Sequence, residues 1–145
     1  MKRCEGILQP VSAMDRLTKT GLRILIVDDN SDAAEMLSLL LAEVGHSAIF
    51  CTNGRDAVDT ALGFLPDIVL LDIGMPVMNG YEVATLLRQH HALEGSKIVA
   101  LSAWGDHETV SKSKASGFHS HLVKPVGLGR LLDEFAKMHV GVAHS

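Results

Sequence analysis

From Leu22 onward the sequence predicts a doubly wound α/β domain on a parallel sheet, and three observations carry that prediction. Short, near-continuous apolar runs recur along the chain, as strands covered on both faces require. Stretches with helical apolar spacing alternate with them. Glycines and prolines punctuate the joints. A length of 145 residues suits one domain with a single core, and 47% hydrophobic against 21% charged residues excludes a disordered polyelectrolyte.

Each element follows in order. Residues 1–21 lack sustained periodicity and are expected to form a leader or linker. Residues 23–27, "RILIV", read as the first strand. Residues 31–44 carry Ala34, Leu37, Leu40, Leu41 and Val44 on one helical face, with Gly45 as the C-terminal cap. A strand at 47–51 and a helix at about 54–63 come next, and Pro66 marks the turn before "DIVLLD", the third strand. "GMPVMNG" is a loop and "YEVATLLRQH" a helix. "KIVALSA" is the fourth strand, followed by "HETVSKSKASG", a polar helix ending at Gly117. "HSHLVKP" and "LGRLLDEFAKM" supply the fifth strand and the last helix. Five βα units in this order place helices on both faces of the sheet.

Composition narrows the function. A net charge of −4 with no basic run argues against direct contact with nucleic acid. No apolar run approaches the roughly 20 residues of a membrane span. The N-terminal "MKRCEGILQP" lacks the apolar centre of a signal peptide, so a cytoplasmic location is expected. Cys4 and Cys51 make no metal spacing and read as free thiols in a reducing compartment. His90–His91, and His119 with His121, lack a third ligand at zinc spacing.

In a doubly wound sheet, ligands bind beyond the carboxyl ends of the strands. The first strand ends in Asp28 and Asp29, the third in Asp72, the fourth in Ser102, and the fifth in Lys124 before Pro125. Asp29, Asn30 and Ser31 each also suit the N-cap of the first helix. Taken together, three carboxylates, a hydroxyl and an ammonium are expected on one edge. Magnesium takes hard oxygen ligands, commonly one or two carboxylates with waters and phosphate oxygens. A carboxylate is also a nucleophile towards phosphorus, giving an aspartyl phosphate. Transfer of a phosphoryl group then requires its three equatorial oxygens to be neutralised. Metal, serine hydroxyl and lysine divide that work.

The motifs "ILIVDDN", "DIVLLDIGMPVMNGYE", "IVALSA" and "HLVKPV" resemble the receiver domains of two-component response regulators, over about Leu22 to Met138. "GFHSHLVKPV" is similar to receivers attached to hybrid histidine kinases. The resemblance implies a flavodoxin-like (βα)5 fold with strand order 2-1-3-4-5, a receiver at 22–140 and a tail at 141–145. It implies that Asp72 accepts a phosphoryl group from the phosphohistidine of a histidine kinase or phosphotransfer protein. Asp29, Asp72 and the Gly74 carbonyl would bind Mg directly, and Asp28 through water. Ser102 and Lys124 would bind phosphoryl oxygens, and the Lys124–Pro125 bond would be cis. Ser102 and His121 take the switch positions, with His121 standing where the family more commonly carries Tyr or Phe. Gly74 and Trp104 take the positions that set the lifetime of the phosphoryl group, and the bulk of Trp104 predicts slow self-dephosphorylation.

By the same resemblance, catalysis is confined to the chain's own aspartyl phosphorylation and dephosphorylation. The signal would leave through the fourth helix, fifth strand and fifth helix, about residues 106–138, with room for a homodimer on phosphorylation. Both a stand-alone receiver and a domain of a hybrid kinase fit. A phosphatase of the haloacid dehalogenase type needs a second Asp two positions after the nucleophile, where this chain has Gly74. A flavodoxin-like cofactor binder would find its phosphate repelled by Asp28 and Asp29. The alternative that keeps all five residues is a pseudo-receiver, a protein-interaction scaffold that is not phosphorylated.

Overall fold

The computed structural model of the chain describes residues 4–6, 21–75, 78–102 and 117–138. In chain order the elements are β1 (Cys4–Gly6), β2 (Arg23–Val27), α1 (Ser31–Glu43), β3 (Ser47–Cys51) and α2 (Gly54–Phe64). After these come β4 (Ile68–Asp72), α3 (Gly80–Arg88), a 3₁₀ turn (His91–Leu93), β5 (Lys97–Ser102), β6 (Ser120–Val123) and α4 (Leu128–Met138). The sheet runs β1-β3-β2-β4-β5-β6. Its five C-terminal strands pair in parallel, in the flavodoxin-like order expected from the sequence.

Strand sequences explain the two cores. Alternate side chains point to opposite faces. Leu25, Val27, Val69 and Leu71 pack against α2 and α3, whereas Ile24, Ile26, Ile68 and Leu70 pack against α1 and α4. Every residue of β4 is buried, which is why that strand reads as an unbroken apolar run. Asparagines start three helices: Asn30, Asn53 and Asn79 each accept a backbone N–H of the first turn. Asn79 and Glu82 form a reciprocal capping box. Each such cap is worth about 1 kcal/mol.

Three expectations are corrected here. The sheet has six strands where five were expected, because β1 pairs antiparallel with the edge strand β3, with Cys4 opposite Cys51 in the register. Cys51 is not a free thiol but disulfide-bonded. A cysteine at a strand end is legible in sequence only as a thiol, because its covalent partner is fixed by long-range pairing. The buried stripe of α1 is Ala34, Ser38 and Leu41, so Leu40 and Val44 turn outward instead of packing on the sheet. Gly45 follows the helix with φ of 100°, the left-handed conformation that a C-terminal glycine permits. The expected helix at "HETVSKSKASG" lies outside the described residues up to Gly117, as do Trp104 and part of the 106–138 face. Among the described residues no helix is long and apolar enough to cross a membrane.

Candidate functional site

The chain leaves β2 for β3 on one side of the sheet, then crosses to β4 on the other. This reversal opens a crevice over the carboxyl ends of β2 and β4. Asp28 follows the last residue of β2 and Asp72 is the last of β4; both are buried, at 5% and 8% exposure. Asp29 is exposed beside them. Among the described residues these three form the group suited to a metal ion, with ligand oxygens all within 4.8 Å of one another.

Local backbone geometry sets each carboxylate. Asn30, and neither Asp29 nor Ser31, caps α1, which leaves both aspartates to the crevice. Asp28 Oδ1 accepts the Asn30 N–H at 3.0 Å, and its own N–H donates to the Cys51 carbonyl at 3.1 Å. Asp72 Oδ1 accepts the Gly74 N–H at 2.9 Å. The loop after Asp72 is drawn back by Gly80, at which a Cβ would stand 2.5 Å from the Ile73 Cα. The sequence offered Asn30 as one of three N-cap candidates, but it did not single out Gly80. The "NG" pair that opens α3 was the available signal for it.

Lys124 reaches across from the end of β6. Its Nζ donates to Asp28 Oδ2 at 3.0 Å and to Asp72 Oδ2 at 3.2 Å. The Lys124–Pro125 bond is cis. Ser102 ends β5 at the same edge, and its Oγ lies 2.8 Å from His121 Nε2 on the neighbouring β6. All five residues expected at the crevice therefore lie at the carboxyl edge, and the two expected switch residues touch each other.

Charge and burial pull against one another here. Burial pushes the Asp28 carboxyl above its ordinary value of 3.8, more than the Asn30 amide and the Lys124 ammonium draw it down. Burial also lowers Lys124, but the two aspartates outweigh it and the ammonium sits above its ordinary value of 10.5. Lys124 is therefore charged throughout the physiological range, and its stabilising effect fades only as pH rises through that elevated value. The Asp28 contribution has the opposite reach. An acid whose folded value is raised lends its full stability below about pH 4 and loses it as pH climbs through the folded value. Asp28→Asn is therefore expected to melt a few degrees above the parent in EDTA at pH 7, with the gap closing towards pH 4. A gap independent of pH, followed by thermal melts, would show that Asp28 carries no burial penalty.

The donor set fits a magnesium ion: three clustered carboxylates supply hard oxygens, one of them open to solvent, and among the described residues Lys124 is the cation that offsets their mutual repulsion. Fold and crevice together define a doubly wound α/β domain with an acidic, lysine-bridged pocket at its switch point. Residues 24–136 match the response regulator receiver domain, and the chain belongs to that family. It is 30% identical to Sporulation initiation phosphotransferase F of Bacillus subtilis over 115 residues, which are 79% of this chain and 91% of that protein. It is 38% identical to the DNA-binding response regulator MtrA of Mycobacterium tuberculosis over 103 residues, 71% of this chain but 44% of that protein. With the regulatory protein AtoC of Escherichia coli it shares 33% identity over 109 residues, covering 75% of this chain and 23% of AtoC. The chain thus spans less than half the length of those two relatives. Among solved structures it is similar to the chemotaxis protein CheY4 of Vibrio cholerae, with a TM-score of 0.77 at 28% identity over 81% of this chain and 98% of that one.

Proposed function

We propose that this receiver takes a phosphoryl group on Asp72 from a phosphohistidine, with magnesium as its cofactor. The observation that carries the reading is the carboxylate of Asp72, buried at a strand end with its two oxygens held by different donors, the Gly74 amide and the Lys124 ammonium. In the transfer an oxygen of Asp72 bonds to phosphorus while the P–N bond to the donor imidazole breaks, and the electron pair leaves on the ring. Lys124 already touches Asp72 and Asp28, so it lies ready to bind a phosphoryl oxygen as charge moves off the carboxylate. Asp28, Asp29 and Asp72, with the Gly74 carbonyl, would hold the metal, which supplies charge neutralisation to the transferred group.

Ser102 is the hydroxyl nearest in role to the phosphoryl oxygens. Its bond to His121 gives it one partner to exchange for another, which is the basis of a switch reading for the pair. A change in that bond would be felt first on β6, within the 106–138 face assigned to the output partner.

The donor's route is suggested by a cleft of about 540 Å³ that begins at Asp28 and Lys124 and runs between α1 and Val126. Met36 and Leu40 line it and are exposed, so an apolar helix of a histidine kinase or phosphotransfer protein could seat there with its histidine towards Asp72.

The test is intact mass after incubation with acetyl phosphate, with and without magnesium, on the parent and on Asp72→Asn. The expected outcome is a magnesium-dependent gain of one phosphoryl group, absent from the variant. No gain under any condition favours the scaffold that is not phosphorylated.

A further inference from the structure

We infer that His121 is a positioning residue for phosphoryl uptake: its Nε2–H holds the Ser102 oxygen and turns that hydroxyl's own proton towards the phosphoryl group. The role rests on Asp72 being the acceptor proposed above.

Strand register brings the two side chains together. His121 stands opposite Ala100 across the β5–β6 ladder, and Ser102 lies two residues beyond Ala100 on β5. Residues two apart on a strand share a face of the sheet. The buried Ala100 offers only a methyl group there, so the imidazole leans along the strand and its Nε2 lies 2.8 Å from Ser102 Oγ. Ser102 is itself buried and follows Leu101, which is level with Asp72 across the β4–β5 ladder. The contact thus stands one residue beyond the acceptor carboxylate, at the same edge.

Counting protons fixes the direction of the bond. A serine hydroxyl has one proton to donate, and a neutral imidazole nitrogen is either a donor or an acceptor. A phosphoryl group on Asp72 offers acceptor oxygens. If Ser102 gives its proton to Nε2, it has none for a phosphoryl oxygen. If it turns the proton to the phosphoryl group while Nε2 is bare, two lone pairs face each other at 2.8 Å. The arrangement that satisfies all three groups has Nε2–H donating to Oγ and Oγ–H donating to the phosphoryl oxygen.

A phenyl ring at position 121 would fill the same space and supply no such donor. The His121 ring is half-buried, so it reaches the required form by proton exchange with water. Nε2 gains a proton and Nδ1 gives one up, with no net uptake. Ser102 keeps its oxygen on the ring throughout, and only its proton changes acceptor. The hydroxyl is thereby aimed before the phosphoryl group arrives, and the ring on β6 registers the arrival.

The experiment is a double-mutant cycle on the full chain, with the rate of magnesium-dependent phosphoryl uptake from acetyl phosphate followed by intact mass. His121→Phe is expected to slow uptake about five- to tenfold, the size of one hydrogen bond. His121→Gln, whose amide N–H can donate to Oγ, is expected to stay within about twofold of the parent. In a Ser102→Ala background, His121→Phe should change the rate by less than about twofold, because no hydroxyl is left to aim. Nitrogen NMR on histidine-labelled parent, held loaded by excess acetyl phosphate and magnesium, should show Nε2 protonated. An equal loss from His121→Phe in both backgrounds would reveal packing alone and overturn the inference. A bare Nε2 in the loaded protein would overturn it even if a variant fails to fold. No phosphoryl gain by the parent removes Asp72 as acceptor and this role with it, whereas normal uptake with an additive cycle removes the role of His121 alone.

Discussion

Lys124→Met is expected to slow magnesium-dependent phosphoryl uptake from acetyl phosphate by on the order of 10²–10³-fold, the range for deleting one preorganised electrostatic donor. The reasoning rests on where the ammonium already is. It lies 3.0 Å from Asp28 and 3.2 Å from Asp72 before any phosphoryl group arrives, so it needs no reorganisation to follow the charge. A second effect comes from the same atom. Without it two buried carboxylates face each other with Asp29 beside them, so the metal-free variant is expected to lose about 1–3 kcal/mol. Removing one partner of a fully buried pair costs roughly 3–5 kcal/mol. The Lys124 side chain is 32% exposed, and solvent screening reduces that figure. Magnesium should restore most of the loss, because it binds only the folded state and supplies the missing positive charge. Single-turnover phosphorylation followed by mass, and melts with and without magnesium, check the two effects separately. An unchanged phosphorylation rate would remove Lys124 from the transfer.

Gly80→Ala is the second large effect, and it is a backbone one. A Cβ at this position would stand 2.5 Å from the Ile73 Cα and 2.8 Å from the Asp72 carbonyl oxygen. Both neighbours are main chain at the end of β4, so neither can swing away as a side-chain tip would. The start of α3 must move off the strand, at an expected cost of about 1–3 kcal/mol. That movement pulls on the turn whose Gly74 N–H holds Asp72 Oδ1. Phosphoryl uptake should therefore fall together with Tm. Gly63→Ala is the matched control: nothing lies within 4 Å of its Cβ and it sits inside α2, so it should gain about 0.5–1 kcal/mol. If both variants melt with the parent, the close packing at Gly80 plays no part.

The parallel strands were legible because being covered on two faces forces apolar residues at consecutive positions, and β3 and β4 show it without interruption. The crevice was legible for a topological reason: once the strands are parallel, their carboxyl ends share one edge whatever the side chains are. What escaped was long-range or rotational. β1 carries the sequence "CEG", which has no strand signature of its own and acquires one only by pairing with Ile49–Cys51 far along the chain. The α1 stripe was misjudged because Leu40 and Val44 are apolar yet stand outward, while a serine, Ser38, is fully buried. Ser38 can be buried because its hydroxyl donates to the Glu35 carbonyl at 2.7 Å, a local bond that hydropathy does not register. The Ser102–His121 contact needed the β5–β6 register, which no single-strand pattern contains.

The two hydrogen bonds to Asp72 make its oxygens chemically distinct. Oδ1 is tied to the main chain through Gly74, and Oδ2 to a long side chain that can rotate. A free carboxylate is symmetric, and either oxygen can act. Here the group is a hinged lever with one fixed and one movable end. Under the proposed phosphoryl transfer, the loop that follows β4 would orient the Asp72 carboxylate before any donor protein arrives.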